Sequence, residues 1–164
     1  MSTKDLTELV SSESIKAINH WIEKYPTERK RSAIIPVFTI VQDELGHLSR
    51  EVMDAVADYL QIPHIGAYEV ATFYSMFRLE PAGKHVVSLC TNVSCMLAGS
   101  EGLKQWFKDE LGIEPGETTE DGRITLKEVE CMAACGGAPM LEVDKQYHEN
   151  LTVDKMADLI RNLS

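Results

Sequence analysis

Four cysteines, all in the second half of the chain, fall into two close pairs. Cys90 and Cys95 have four residues between them, Cys131 and Cys135 have three, and residues 96–130 separate the pairs. Each pair is short enough to chelate from one loop, so a fold that uses all four must bring two loops to one point. The chain is 164 residues long. That is enough to bury roughly 70% of the surface the unfolded chain would expose, so disulfide staples are not needed to hold a core. Met1 to Asp5 shows no basic run followed by an apolar one, and no stretch nears the ~20 apolar residues of a membrane-spanning helix. A cytoplasmic protein, or one peripheral to something there, is the expectation. Two disulfides explain four cysteines poorly in that reducing setting, and a metal or redox role explains them better.

The residues around the cysteines fit that role. His85–Cys90 reads as a short buried strand ending on the first cysteine, and Cys95 precedes an expected helix from Gly99 to Leu111. Gly136 and Gly137 follow the last cysteine, where a bare backbone can bring N–H groups close to sulfur. Pro139 biases Ala138 toward extended backbone leading into a strand. A [2Fe–2S] cluster asks for two thiolates at each iron, which two loops of two cysteines supply. Spacing alone favours that reading but leaves others open. Zinc takes four thiolates, although its knuckles mostly carry two intervening residues. A zinc-stabilised interaction module is therefore a rival. A thiol oxidoreductase would want Cys-x-x-Cys, which is absent, and four inert buried thiols fit two close pairs poorly.

The pattern changes at Pro81-Ala82-Gly83-Lys84. Before it the chain reads as helical. Ser11 and Ser12 cap a helix carrying Ile15, Ile18 and Ile22, which Pro26 stops. Ser32–Leu45 carries Ile34, Val37, Phe38, Val41 and Leu45 and ends at Gly46. Ser49 caps a third helix with Val52, Val56 and Leu60, and Ile65–Phe77 forms a fourth. After the break come strands over Ile124–Val129, Met140–Val143 and Gln146–His148, and a last helix over Leu151–Leu163 capped by Thr152. The order is β-α-β-β-β-α. The expected division is a helical region over 1–82 and a mixed domain over 83–164.

The net charge of −10 argues against nucleic acid and against a direct anionic membrane partner. Neither G-x-G-x-x-G nor a P-loop occurs, so no nucleotide loop is expected. His20, His47, His64, His85 and His148 are scattered and none lies in a cysteine knuckle, which disfavours a Rieske centre. Phe73, Tyr74 and Phe77 read mostly as helix core, with part of the face free for a partner. Met96, Met132 and Met140 read as an apolar wall beside the cysteines.

The motifs also occur in a telling order: Glu69–Phe77 (EVATFYSMF), Gly83-Lys84, Cys90–Gly99 (CTNVSCMLAG) and Cys131–Pro139 (CMAACGGAP), with Tyr25-Pro26 and Gly46–Ser49 (GHLS) upstream. This set closely resembles the 24 kDa subunit family of respiratory NADH:quinone oxidoreductase (complex I), the E subunit in bacteria, over about residues 12–163. The resemblance implies an α/β (α+β) fold class, an N-terminal helical region followed by a thioredoxin-like [2Fe–2S] ferredoxin domain. It implies one [2Fe–2S] cluster on Cys90, Cys95, Cys131 and Cys135, in an electron-transfer subunit that is not catalytic on its own. It further implies a partner, the 51 kDa flavoprotein subunit, which holds FMN and binds NADH, within a peripheral part of a membrane-associated complex. Close relatives of the family resemble parts of NAD(P)-linked hydrogenases and formate dehydrogenases, so the parent complex stays open. His47, where the family has Trp or Tyr, and Ala133, where many members have glycine, depart from the pattern.

Overall fold

The computed structural model describes residues 5–163, so Met1–Lys4, in the stretch where no leader run was expected, lie outside the described residues. Two compact units meet in the chain at Pro81 and Ala82.

The first unit is helical. It opens with a short helix, α1 (Leu6–Leu9), too brief for periodicity to announce it. Then come α2 (Ser12–Ile22), a 3₁₀ segment (Thr27–Ala33), α3 (Ile34–Leu45), α4 (Arg50–Leu60) and α5 (His64–Phe73). The expected caps form. The Ser11 hydroxyl accepts from the Ser14 N–H at 3.2 Å and the Ser49 hydroxyl from the Val52 N–H at 3.3 Å. Each satisfies one of the donors a helix start leaves without an internal partner. Gly46 ends α3 with a φ of +83°, which glycine adopts without steric cost. Ile18, Val37, Phe38, Val41, Val56 and Leu60 lie along the inward helix faces and form one apolar core.

The expected helix over Ile65–Phe77 is shorter than its apolar run. It ends at Phe73, Tyr74 turns to extended backbone, and the chain folds back. The side chain of Gln42 explains the stop. Its amide donates to the Met76 carbonyl at 3.1 Å and its oxygen accepts from the Arg78 N–H at 2.6 Å, so backbone polar groups here pair outside a helix. The fold-back buries Phe77 edge-on against Phe38, with ring centroids 5.4 Å apart. It leaves Phe73 79% exposed, so the aromatic run divides between core and surface rather than being mostly core.

The second unit is built on a four-stranded sheet: β1 (His85–Cys90), β2 (Ile124–Val129), β3 (Leu141–Val143) and β4 (Gln146–His148), in the spatial order β2-β1-β3-β4. β1 and β2 are parallel, with His85 opposite Ile124 and Cys90 opposite Val129; β3 runs antiparallel to β1, and β4 to β3. The parallel pair needs a crossover, supplied by α6 (Val93–Leu97) and α7 (Ser100–Trp106), the latter continuing through a π-helical turn (Phe107–Leu111). α8 (Val153–Arg161), capped by Thr152, closes the unit. Val87, Leu89, Leu103, Phe107, Leu126, Met156 and Ile160 form its apolar core.

Candidate metal centre

The strand directions decide where the cysteines go. β1 and β2 are parallel and in register to their last residues, so their carboxyl ends lie side by side. Cys90 is the last residue of β1, and Cys131 follows two residues after the end of β2. β3 pairs antiparallel with Leu141 opposite Leu89, which brings the segment preceding β3 to the same edge. That segment holds Cys135 at the start of a 3₁₀ turn (Cys135–Gly137). The Cys90 N–H donates to the Met140 carbonyl at 3.4 Å, and the Thr91 N–H to the Val129 carbonyl at 3.2 Å, tying the three segments together. Ligand sites of open α/β sheets favour this position outside the strand carboxyl ends.

Cys95 precedes α7, the expected helix, but also sits inside a short helix of its own, α6; Asn92 caps α6 by accepting from the Val93 N–H. A five-residue helix carries too little periodicity to be read from sequence. Cys90 and Cys95 are buried with Met140, and Met132, Ala134 and Ala138 pack against them. Cys131 and Cys135 are exposed, and all four thiols are free. The expected methionine wall is therefore Met132 and Met140. Met96 is 45% exposed and takes no part in it.

Backbone N–H groups reach the sulfurs from three segments. Burial pushes the Cys90 thiol up, but the N–H groups of Asn92 and Met132 and the neighbouring Cys95 thiol outweigh it, so its pKa falls below the ordinary value. Burial and the Cys90 neighbour push Cys95 up, against the N–H of Met140. The Ala133 N–H donates to the Cys131 sulfur at 3.3 Å. Such donors favour the thiolate form, which binds metal. Gly136 and Gly137 are the expected source of such donors, and for Gly137 the structure differs. The Gly137 N–H bonds the Ala134 carbonyl at 3.0 Å. Gly137 is instead a site of close approach. A Cβ there would stand 2.5 Å from Cδ of Glu149, and the Asn150 N–H donates to the Gly137 carbonyl at 2.7 Å. The Ala138–Pro139 bond is cis, and Ala138 takes the extended backbone expected of it.

Two features of this loop carry no motif in the sequence. Ala133 has a φ of +58°, the left-handed region, at a position that reads in sequence only as a departure from glycine. The Tyr147 hydroxyl, on β4, donates to the Met132 carbonyl at 3.1 Å. Pairing of β4 with β3 sets that contact, which local sequence does not encode. None of the five histidines lies among the cysteines; His64 and His85 pair with aspartates elsewhere.

The donor set fits an iron–sulfur cluster: four free thiols in two pairs, with amides aimed at sulfur. Among the described residues no three His, Cys, Asp or Glu side chains converge as ligands of a single ion. No helix among them is long and apolar enough to cross a membrane.

Comparison with known proteins extends this picture. A family described as thioredoxin-like [2Fe–2S] ferredoxin matches residues 18–164. The chain is 39% identical over 164 residues to the E subunit of NADH-quinone oxidoreductase from Rickettsia bellii, covering 99% of this chain and 98% of that one. It is 45% identical over 139 residues to the second E subunit (E 2) of the same oxidoreductase from Rhizobium meliloti, covering 85% and 82%. Among solved structures, an NAD+-reducing [NiFe]-hydrogenase in its H2-reduced state superposes with a TM-score of 0.68 at 18% identity, over 82% of this chain and 22% of that one. That last likeness is one of fold.

Proposed function

The chain belongs to the thioredoxin-like [2Fe–2S] ferredoxin family, and on that premise we propose that it is the electron-transferring E subunit of an NADH-quinone oxidoreductase. In this reading Cys90, Cys95, Cys131 and Cys135 hold one [2Fe–2S] cluster, the first pair on one iron and the second pair on the other. Residues 83–164 form the cluster domain and residues 1–82 a helical region before it. The observation that carries the reading is the convergence of the β1 end, the β2 end and the β3 start, which bring both cysteine pairs to one edge of the sheet. When bound, a [2Fe–2S] cluster supplies reversible one-electron storage, which couples two-electron hydride chemistry to single-electron carriers.

The protein's own part is to hold and bias that site. Cys90 and Cys95 enter from a buried shelf with Met140 beneath them, so water is excluded from one side. Cys131 and Cys135 come from an exposed loop, on the side where an electron partner can approach. The N–H groups of Asn92, Met132, Ala133 and Met140 offset negative charge on sulfur and favour the reduced state. FMN and NADH belong to a partner flavoprotein of the 51 kDa type, with which this chain exchanges single electrons. The full-length match to relatives named as E subunits of that oxidoreductase supports this complex over a hydrogenase or formate dehydrogenase.

Anaerobic purification with iron and acid-labile sulfide analysis tests the cluster. The expected result is about two irons and two sulfides per chain, with an EPR signal on reduction that Cys135→Ala abolishes. A colourless protein holding zinc on four thiolates would overturn it. Affinity purification from cells growing by respiration tests the partner, and the flavin should co-purify as FMN on a separate chain.

A further inference from the structure

Tyr147 is joined to the cysteine loop through a single peptide unit. The Met132 carbonyl accepts from its hydroxyl at 3.1 Å, and the N–H of that same peptide, on Ala133, donates to the Cys131 sulfur at 3.3 Å. A carbonyl only accepts, so the phenol must be the donor. The left-handed φ of +58° at Ala133 accompanies an N–H turned back onto the sulfur two residues earlier. L-residues adopt that region only at a steric cost, so the turn is held against its own preference. The Met132 N–H, one peptide earlier, reaches Cys90. Tyr147 thus pins the residue that links the exposed cysteine pair to the buried one.

From this geometry we infer that Tyr147 is a positioning residue that sets the reduction potential of the cluster through the Met132–Ala133 peptide. Hydrogen bonds in series polarise one another, each strengthening the next by about 10–30%. The phenol withdraws charge from the carbonyl oxygen, and the Ala133 N–H becomes the stronger donor to the Cys131 thiolate. Reduction adds one negative charge to the cluster, so a stronger N–H···S bond stabilises the reduced form and raises the potential. Tyr147 touches neither the cysteines' sulfurs nor any electron carrier in this role. It stands on the short edge strand β4, opposite Glu142 of β3 and 51% exposed, where substitution leaves the core intact. The inference rests on the proposed ligation by Cys131.

Redox titration of the anaerobically purified full chain, wild type against Tyr147→Phe, is the test. With iron and sulfide content and unfolding temperature matched to wild type, the variant should reduce less readily. The reduced-to-oxidised ratio at fixed potential should fall roughly twofold to fivefold, which at 59 mV per tenfold is about 20–40 mV downward. Resonance Raman gives a readout that a purely structural role would not move. The Fe–S(Cys) stretches of wild type should shift on transfer to D2O, and that shift should shrink in Tyr147→Phe. If Tyr147→Phe fails to retain the cluster, site-specific replacement of Tyr147 by 3-fluorotyrosine, a stronger donor, should move the midpoint upward. An unchanged midpoint and D2O shift in an intact cluster overturn the inference while leaving the proposed function standing. A wild-type chain without iron and sulfide would instead defeat the proposed function itself.

Discussion

The helical unit and the mixed unit solve the same problem, closing a core, in different ways. The helical unit closes with protein alone. One apolar cluster runs from Leu6 to Phe77, and its buried Gln42 has both ends of its amide paired with backbone. The mixed unit divides its interior. One part is an ordinary apolar layer under the sheet; the other is a small pocket of Cys90, Cys95 and Met140 at the strand ends. Buried polar groups cost little when fully paired and much when they are not. The first unit meets that requirement internally, while the second buries the Cys90 and Cys95 thiols and leaves Cys131 and Cys135 exposed, the four groups that hold the cluster in the proposed function.

Removing the cluster should therefore expose the difference most strongly. Anaerobic chelation should speed amide exchange across residues 90–96 and 131–140 by orders of magnitude, because binding energy of a metal centre is also folding energy. Exchange in α3 and α4 should stay as it was. Equal acceleration in both units would break the contrast. The reverse lesion comes next in size. Phe38 is fully buried and meets Phe77 edge-on, so Phe38→Ala should cost the helical unit about 3–5 kcal/mol in denaturant melts. Below that transition the EPR spectrum of the cluster should be unaltered.

The two units are not equally legible. Helical periodicity with Ser11, Ser49 and Gly46 as punctuation marks α2, α3 and α4 nearly to their ends, because caps and inward faces are local properties. The strands are legible for the same reason, and the cysteine pairs point to chemistry before any fold is known. What escapes is set by tertiary contacts. The helix ending at Phe73 rather than Phe77 depends on Gln42, which lies 34 residues before Met76 in the chain. Gly137 reads as an amide donor to sulfur, yet its role is to leave room for Glu149 from the β4–α8 connection. Tyr147 acquires its contact only through the β3–β4 pairing. Two of these three sites, Gly137 and Tyr147, lie beside the cysteine loop, as expected where local preference yields to function.

Gly137 offers a sharper probe of that second region. In Gly137→Ala the new methyl meets the Cβ and carboxylate of Glu149 at 2.5–2.6 Å, so the loop or the glutamate must move. Overpacking of this kind costs about 1–3 kcal/mol. Thermal melts should show the loss in the mixed unit, and the double variant Gly137→Ala/Glu149→Gly should recover most of it. Failure of the second change to compensate would mean that the close approach is not what fixes glycine at 137.

The smallest expected effect belongs to the helical unit and concerns pH. His64, at the start of α5, reaches back to α4, with Nε2 2.7 Å from Asp58 and Nδ1 3.2 Å from Asp54. Asp54 also accepts from the Tyr68 hydroxyl, and Arg50 lies over the Tyr68 ring. The hydrogen bond to Asp58 raises the His64 pKa above its ordinary 6.5; desolvation opposes this, the charges of Asp54 and Asp58 reinforce it, and that of Arg50 opposes it. A raised pKa in the folded state means that folding favours the protonated ring. The stabilisation is complete below the unfolded value near 6.5 and is lost as pH rises through the higher folded value. The melting temperature of the helical unit should therefore drift downward as pH rises above 6.5, and His64→Gln should flatten that drift. The site is half exposed and the effect small, so added salt should shrink it further. The cluster's midpoint potential should be the same in His64→Gln as in wild type. A shift there would show that the two units are electrostatically coupled, and that their cores are not independent solutions.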